Sequence, residues 1–355
     1  MESLKRKQKV IFFSFLDPTY SRTSVYLKLD ELYENNQEFV KVPMSFSRSA
    51  IFIKRLLQSK KKEKSIFVVM SPCHILVPIL RMFSNQKIIL DAGWSLTEAA
   101  LTRRQGIRDL PFIGKTFLID YLAFQFSNKI IVETKQQAGY ISKTFRVRKN
   151  KIKVLFTGVN EDNFYFPPTR PPELDKKLLD ENTFVVLFRG SYTRDAGLEA
   201  LAETSKMIIA PKIIFIVASN RLPSEIEFGE NVLVIQRTLA FEEMKYLYQL
   251  ADLCVGQISN RPRLANTIPH KAFEAAYFGK PYMTSDNLGI REFLKKNSDC
   301  YYLASSSAKE LTKGILEVFK NKALREKMAL EIKKSYMENA NQIDLQETFK
   351  EYISN

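Results

Sequence analysis

Apolar runs of three to six residues recur along this chain, each followed by a longer stretch with helical spacing, and the series occurs twice. In the first half the strand-like runs are 10–15, 39–44, 66–71, 87–92, 130–133 and 154–156; in the second they are 184–188, 213–218, 232–235, 253–257, 282–285 and 301–303. Strands separated by helices of ten or more residues cannot join as hairpins. They need crossovers, which predicts parallel sheets covered on both faces in an α/β, doubly wound arrangement. Between the halves lies Phe166-Pro-Pro-Thr-Arg-Pro-Pro172, whose prolines neither donate to a ladder nor extend a helix. The expected division is a first domain over 1–165, a linker over 166–182 and a second domain over 183–340. A last helix over 341–355 is free to cross back to the first domain.

The 355 residues, 45% of them hydrophobic and 12% aromatic, suffice for two cores. Charge is unevenly spread: residues 1–160 hold 28 Lys/Arg against 12 Asp/Glu, and the remainder 26 against 27. A basic half joined to a neutral one suggests that one domain faces an anionic surface, nucleic acid or membrane. No recognised nucleic-acid motif is present, so the membrane is the expected partner. Cys73, Cys254 and Cys300 are scattered through apolar runs, which predicts reduced, buried thiols in a cytosolic protein. With two histidines, His74 and His270, and no Cys/His cluster, a structural zinc site is not expected. The basic start, Lys5-Arg-Lys-Gln-Lys9, leads straight into a strand and does not read as a signal peptide.

The densest chemistry is Ile268-Pro-His-Lys-Ala-Phe-Glu-Ala-Ala-Tyr-Phe-Gly-Lys-Pro281, followed by Tyr-Met-Thr-Ser-Asp-Asn-Leu-Gly-Ile-Arg-Glu292. Pro269 suits a helix start, and Gly279 before Pro281 suits a helix end. Lys271 and Glu274 are three apart and share a face of the first turn. A lysine among the free N–H groups of a helix start suits phosphate, and a carboxylate one turn on can accept from a ribose diol. Asp286-Asn-Leu-Gly289 should open a further helix near Ile290, with a second cluster of amides.

Pro-x-Lys-x-x-Glu, then Gly-Lys-Pro, a short strand and a Gly-containing turn resemble the donor site of GT-B glycosyltransferases. The nearest type is the large retaining, family-4-like group that uses nucleotide-diphospho-sugars (glycosyl transferases group 1). The resemblance implies a GT-B fold, two doubly wound Rossmann-like domains facing a cleft, with donor in the second and acceptor in the first. It puts diphosphate on Lys271 as a catalytic cation, ribose on Glu274 with His270 beside it, and phosphate or sugar on the Leu288 and Gly289 amides. The passage Lys151-Ile-Lys-Val-Leu-Phe-Thr-Gly-Val-Asn160 is similar to the one that ends the first domain in that group.

The loop Phe188-Arg-Gly-Ser-Tyr-Thr-Arg-Asp-Ala-Gly197 lets backbone approach a ligand at Gly190, while Arg189 and Arg194 can face phosphates. The cations usual in this loop fall here on Ser191 and Ala196, so Arg189 (catalytic) or Arg194 (donor-binding) would supply the charge from a shifted place. The resemblance sets the nucleobase near Arg237 and Thr238. A further glutamate common eight positions before the ribose-binding one is Asn266 here, which leaves the sugar and the stereochemical course open. In the first half Asp91, at a strand end, is the candidate polar catalytic contact, and Tyr20, Arg22 and Trp94 are candidates for the acceptor. Equally, 17–22 reads as a turn and a capped helix start, and Asp91 as a strand-end cap.

Residues 51–62, and the region through Arg103, Arg104, Arg108 and 111–126, combine basic and apolar residues as membrane-surface helices do. No Asp-x-Asp occurs, so neither a metal nor another cofactor is expected. The reading is a hexosyltransferase-type, metal-independent, retaining enzyme, cytoplasmic and peripheral on the inner face of the cell membrane. It would move sugar from a UDP- or GDP-linked donor to a glycan acceptor carried on lipid. The alternatives are a nucleotide-sugar 2-epimerase on the same fold and a non-catalytic GT-B-like partner subunit.

Overall fold

The computed structural model describes residues 9–17, 22–26, 37–59, 64–103, 106–174, 182–193, 196–209, 212–295 and 298–354. The chain divides into two compact units: unit 1 is Met1–Thr157 with Gln342–Asn355, and unit 2 is Gly158–Asn341.

Unit 1 is built on six parallel strands: β1 (Lys9–Ser14), β2 (Gln37–Lys41), β3 (Ser65–Val69), β4 (Lys87–Gly93), β5 (Lys129–Val132) and β6 (Ile152–Val154). Their order is β2-β1-β3-β4-β5-β6. The helices are α1 (Phe46–Ser59), α2 (Leu76–Phe83), α3 (Leu96–Arg103), α4 (Leu110–Phe126) and α5 (Lys135–Phe145), joined from the chain's end by α12 (Gln342–Ser354). Period-two alternation explains why the strands read as unbroken apolar runs. Ile11, Phe13, Phe67, Val69, Ile88 and Leu90 pack under the α1, α2, α4 and α5 layer. Their neighbours Val10, Phe12, Ile66, Val68 and Ile89 face the other way, against Tyr26 and α12. Phe349 of α12 stacks on Tyr26 at 5.0 Å between centroids, and Gln346 donates to the Val25 carbonyl.

Unit 2 has β7 (Phe184–Arg189), β8 (Ile213–Ala218), β9 (Val232–Ile235), β10 (Leu253–Val255), β11 (Tyr282–Ser285) and β12 (Tyr301–Leu303). They lie parallel in the order β12-β11-β10-β7-β8-β9. The helices are α6 (Leu198–Met207), α7 (Phe241–Leu250), α8 (His270–Tyr277), α9 (Leu288–Phe293), α10 (Ala308–Lys320) and α11 (Lys322–Asn339). From β7 the chain winds outward through β8 and β9, then returns to β10 on the other side. The reversal leaves a crevice beyond the carboxyl ends of β7 and β10, the usual ligand position in such sheets.

One boundary differs from the sequence expectation. The division falls between Thr157 and Gly158 rather than at 165/166, and residues 158–174 pack into unit 2. Phe164 is buried among Phe241, Tyr277 and Phe278, Lys245 donates to the Phe164 and Phe166 carbonyls, and the Thr169 amide donates to Glu242. After β1, the described residues resume with the 3-10 turn Arg22–Tyr26, which falls where a capped helix start was the alternative reading of 17–22.

Candidate active site

The site grows from the end of β7. Phe188 is buried, Arg189 is half-buried, and Gly190 takes φ +141°, open to glycine and strained for any other residue. An added Cβ there would sit 3.3 Å from both Cε and Nζ of Lys271, so the bare glycine makes room for the lysine. Lys271 belongs to the first turn of α8, whose N-cap, Pro269, offers no side-chain cap to the first amides. Its Nζ lies 3.7 Å from the centroid of the Phe188 ring, a cation–π contact that holds it at the strand end.

Glu274, one turn along α8, is 1% exposed and carries three donors. Arg189 Nη2 donates to Oε1 at 2.7 Å, the Tyr248 hydroxyl donates to Oε2 at 2.5 Å, and His270 Nδ1 lies 3.1 Å from Oε1. Burial works to raise this carboxyl, but Arg189, then His270 and Tyr248, outweigh it and hold it at about 2. Burial, then the nearby Arg189, push the Lys271 ammonium down to about 7, against the attraction of Glu274. The cluster therefore holds one fixed ion pair and one cation under strain for want of a negative partner.

Beside it a cavity of about 150 Å³ is lined by the ends of three neighbouring strands: Arg189–Ser191 after β7, Ala218–Asn220 after β8 and Arg237–Leu239 after β9, with Met244 of α7. Ser191 Oγ and Asn220 Oδ1 pair across it at 2.8 Å. Arg237 is clamped by Glu173 and Glu243, at 2.6 and 2.7 Å, so its guanidinium props the loop while Thr238 remains exposed.

The sequence thus brought together Arg189, Gly190, His270, Lys271 and Glu274, with Arg237 and Thr238 at the adjoining cavity. Glu274 is not the open carboxylate that its spacing from Lys271 implied: the two turn to different surroundings, one under Tyr248 and the other over Phe188. Leu288 and Gly289 open α9, two residues before the expected start; Leu288 is exposed and Gly289 is buried 2.6 Å, by its would-be Cβ, from the Thr267 carbonyl. Asn287 caps that helix by accepting from the Ile290 amide. Arg194 and Tyr20 lie outside the described residues. Sequence reasoning missed Tyr248, Ser219 and Asn220. The signal was there in kind, since Ser219-Asn220 directly follows a parallel strand and Tyr248 is the buried polar residue of α7.

In unit 1 the expectation for Asp91 needs correcting. Asp91 is fully buried: Arg22 Nε lies 3.1 Å from Oδ1, and the Thr23 hydroxyl donates to Oδ2 at 2.7 Å. Arg22, expected at the acceptor, is itself buried, donating to the Tyr26 hydroxyl and the Leu155 carbonyl. The pair ties β4 to the Arg22–Tyr26 turn and leaves Asp91 no free approach to a ligand. Trp94, half-buried after Gly93, is the candidate at that strand end with accessible surface. Among the described residues no group of three or more His, Cys, Asp or Glu is placed to hold a metal ion.

Residues 169–335 match the family model for glycosyl transferases group 1. That segment is a group 1 glycosyl transferase domain. The chain is also 25% identical over 273 residues to the chitobiosyldiphosphodolichol beta-mannosyltransferase of Candida albicans, a match covering 70% of this chain and 58% of that protein. The chain therefore spans under two thirds of that relative's length. Sucrose-phosphate synthase from Thermosynechococcus elongatus superposes with a TM-score of 0.75 at 13% identity, covering 97% of this chain and 98% of the other. Anabaena HepE in complex with UDP gives 0.72 at 13% identity, over 98% and 100%. The fold of the group 1 domain and its companion sheet is GT-B, as the motif order implied.

Proposed function

We propose that this chain is a glycosyltransferase that moves a sugar from a UDP- or GDP-linked donor to a lipid-linked glycan, with retention of configuration and no divalent metal. The observation that carries the reading is the Lys271–Arg189–Glu274 cluster at the β7 strand end of a group 1 domain. As the bond between sugar and diphosphate breaks, negative charge gathers on the leaving phosphate. Lys271, with the uncapped first amides of α8, takes that charge, and Arg189 adds to it while its pairing with Glu274 fixes its position. Glu274 accepts the ribose hydroxyls in exchange for its exposed donor, His270. The base enters the cavity beside Thr238, where Ser219 and Asn220 offer polar contacts. The departing phosphate oxygen takes the proton of the attacking hydroxyl.

Unit 1 binds acceptor, with Trp94 offering a flat apolar surface to a sugar ring or lipid. A relative named for action on chitobiosyldiphosphodolichol supports a lipid-borne acceptor, and the basic first half supports work at an anionic, cytoplasmic membrane face. The test is transfer of radiolabelled sugar from UDP- and GDP-sugars to a diphosphate-linked lipid oligosaccharide, with chelator present, alongside thermal shift by UDP and GDP. Transfer in chelator, abolished by Lys271→Ala, is the expected result. Failure of every nucleotide to stabilise the protein would overturn the reading.

A further inference from the structure

We propose that the outward face of α4 is a membrane-docking surface that seats in the headgroup region of an anionic bilayer. The idea deepens the reading above, on which it rests for a lipid-borne acceptor, by naming the part of unit 1 that meets the lipid.

An ordinary surface helix is apolar on one side and polar on the other. The basic helix α1 is built so: Ile53 is buried, Leu56 and Leu57 are half-buried, and Arg48, Lys54 and Arg55 lie outside. The helix α4, LPFIGKTFLIDYLAFQF, instead carries apolar residues on both its inner and its outer side. Its inner side, Thr116, Asp120, Ala123 and Phe124, is buried, and Asp120 Oδ2 accepts there from the Ser95 hydroxyl and from the Thr97 amide and hydroxyl. The opposite side is Leu110, Gly114, Phe117, Leu118 and Tyr121, at i, i+4, i+7, i+8 and i+11. Leu110 is 59% exposed and Leu118 56%, and the preceding turn adds Ile107 at 86%. A contiguous apolar stripe of this kind, left in water, marks an interaction surface.

Charge decides the occupant. Phe117 packs on Phe145, the last residue of α5, at 5.2 Å between ring centroids. The stripe therefore borders Lys143, Arg146, Arg148 and Lys149, all exposed, and carries Arg108 and Lys115 itself. Across 106–151 the carboxylates are Asp109, Asp120 and Glu133, of which the last two are buried. Apolar rings and leucines rimmed by cations fit a plane of acyl chains beneath anionic headgroups. A second copy of the chain would set this rim against itself, which like charge opposes.

Gly114 supplies a clean probe, because a Cβ built there meets nothing within 4 Å. The full chain is sedimented with phosphatidylcholine vesicles, with and without phosphatidylglycerol. Wild type should bind only the anionic vesicles, and Gly114→Glu and Leu118→Glu should each weaken binding about tenfold. Their thermal unfolding and their transfer to a water-soluble acceptor should stay unchanged, as should vesicle binding by Leu330→Glu on exposed α11. No binding of wild type to anionic vesicles, or equal binding by Gly114→Glu, overturns the proposal. So does a wild-type dimer that Gly114→Glu dissociates without any vesicle affinity, which assigns the face to self-association. Vesicle binding lost in these variants, in a protein that no nucleotide stabilises, leaves docking standing and removes the transferase reading instead.

Discussion

Replacing Glu274 by Gln tests how the candidate site is held together. The carboxylate is 1% exposed and is kept at about 2 against an ordinary 4.5. A depression of that size corresponds to about 3 kcal/mol of folded-state interaction. Removing the charge also leaves the Arg189 guanidinium without its counterion, and breaking one side of a buried pair costs about 3–5 kcal/mol. The expected loss at pH 7 is therefore about 3 kcal/mol, or about 6–12 °C in the melting of unit 2. The pH dependence has a definite sign. Because the folded-state value is depressed, the stabilisation is fully present above pH 4.5 and is lost as pH falls toward 2. The gap between wild type and variant should narrow across that window. The sole tryptophan, Trp94, sits in unit 1, so far-UV circular dichroism or hydrogen exchange of α8 is the appropriate readout. A gap below about 1 kcal/mol, or one unchanged down to pH 3, would refute the reasoning.

Lys271→Met should lower UDP or GDP affinity more than tenfold without loss of fold. Wild type should take up a proton on binding nucleotide near pH 8, read by calorimetry in two buffers, and the variant should not, because a bound diphosphate restores the charge of an ammonium now near 7. With its folded value below the unfolded one, wild-type stability should also rise from pH 7 to 10.5, a slope the variant lacks. Asp91→Asn strands Arg22 in a buried position and should destabilise unit 1 by roughly 3–5 kcal/mol, followed by Trp94 fluorescence. Lost transfer at unchanged unit 1 stability would instead make Asp91 a catalytic contact. Deleting 342–355 uncovers Tyr26 and Phe12 by removing Leu345, Phe349 and Ile353, and should cost unit 1 roughly 5 kcal/mol or more; an unaltered melt would contradict that packing.

Some of this was readable in the chain and some was not, for reasons that particular residues make plain. Phe184–Arg189, Ile213–Ala218 and Tyr282–Ser285 fold as strands close to the expected bounds because a parallel strand covered on both faces must be apolar along its whole length. The start of α8 was legible because Pro269 and the spacing of its apolar residues act locally. Burial of Asp91 was not legible, since its partners Arg22 and Thr23 are 69 and 68 positions away in sequence. The clamp on Arg237 draws Glu173 from 64 positions away, and propensity carries no information at such a distance.

What the amino-acid order determined alone is everything governed by short-range periodicity: two series of parallel strands and helices, the motif-bearing turns at their carboxyl ends, and the excess of cations in the first half. What only the folded chain decided is which polar groups meet. Lys271 and Glu274 share a helical turn, yet one rests on Phe188 and the other is locked beneath Arg189 and Tyr248. Likewise the mixture of basic and apolar residues around α4 suggested a surface helix, and only the packed unit shows which of its residues face outward. A side chain's charge state and exposure depend on neighbours brought in from distant positions, and those contacts exist only once the sheets have closed.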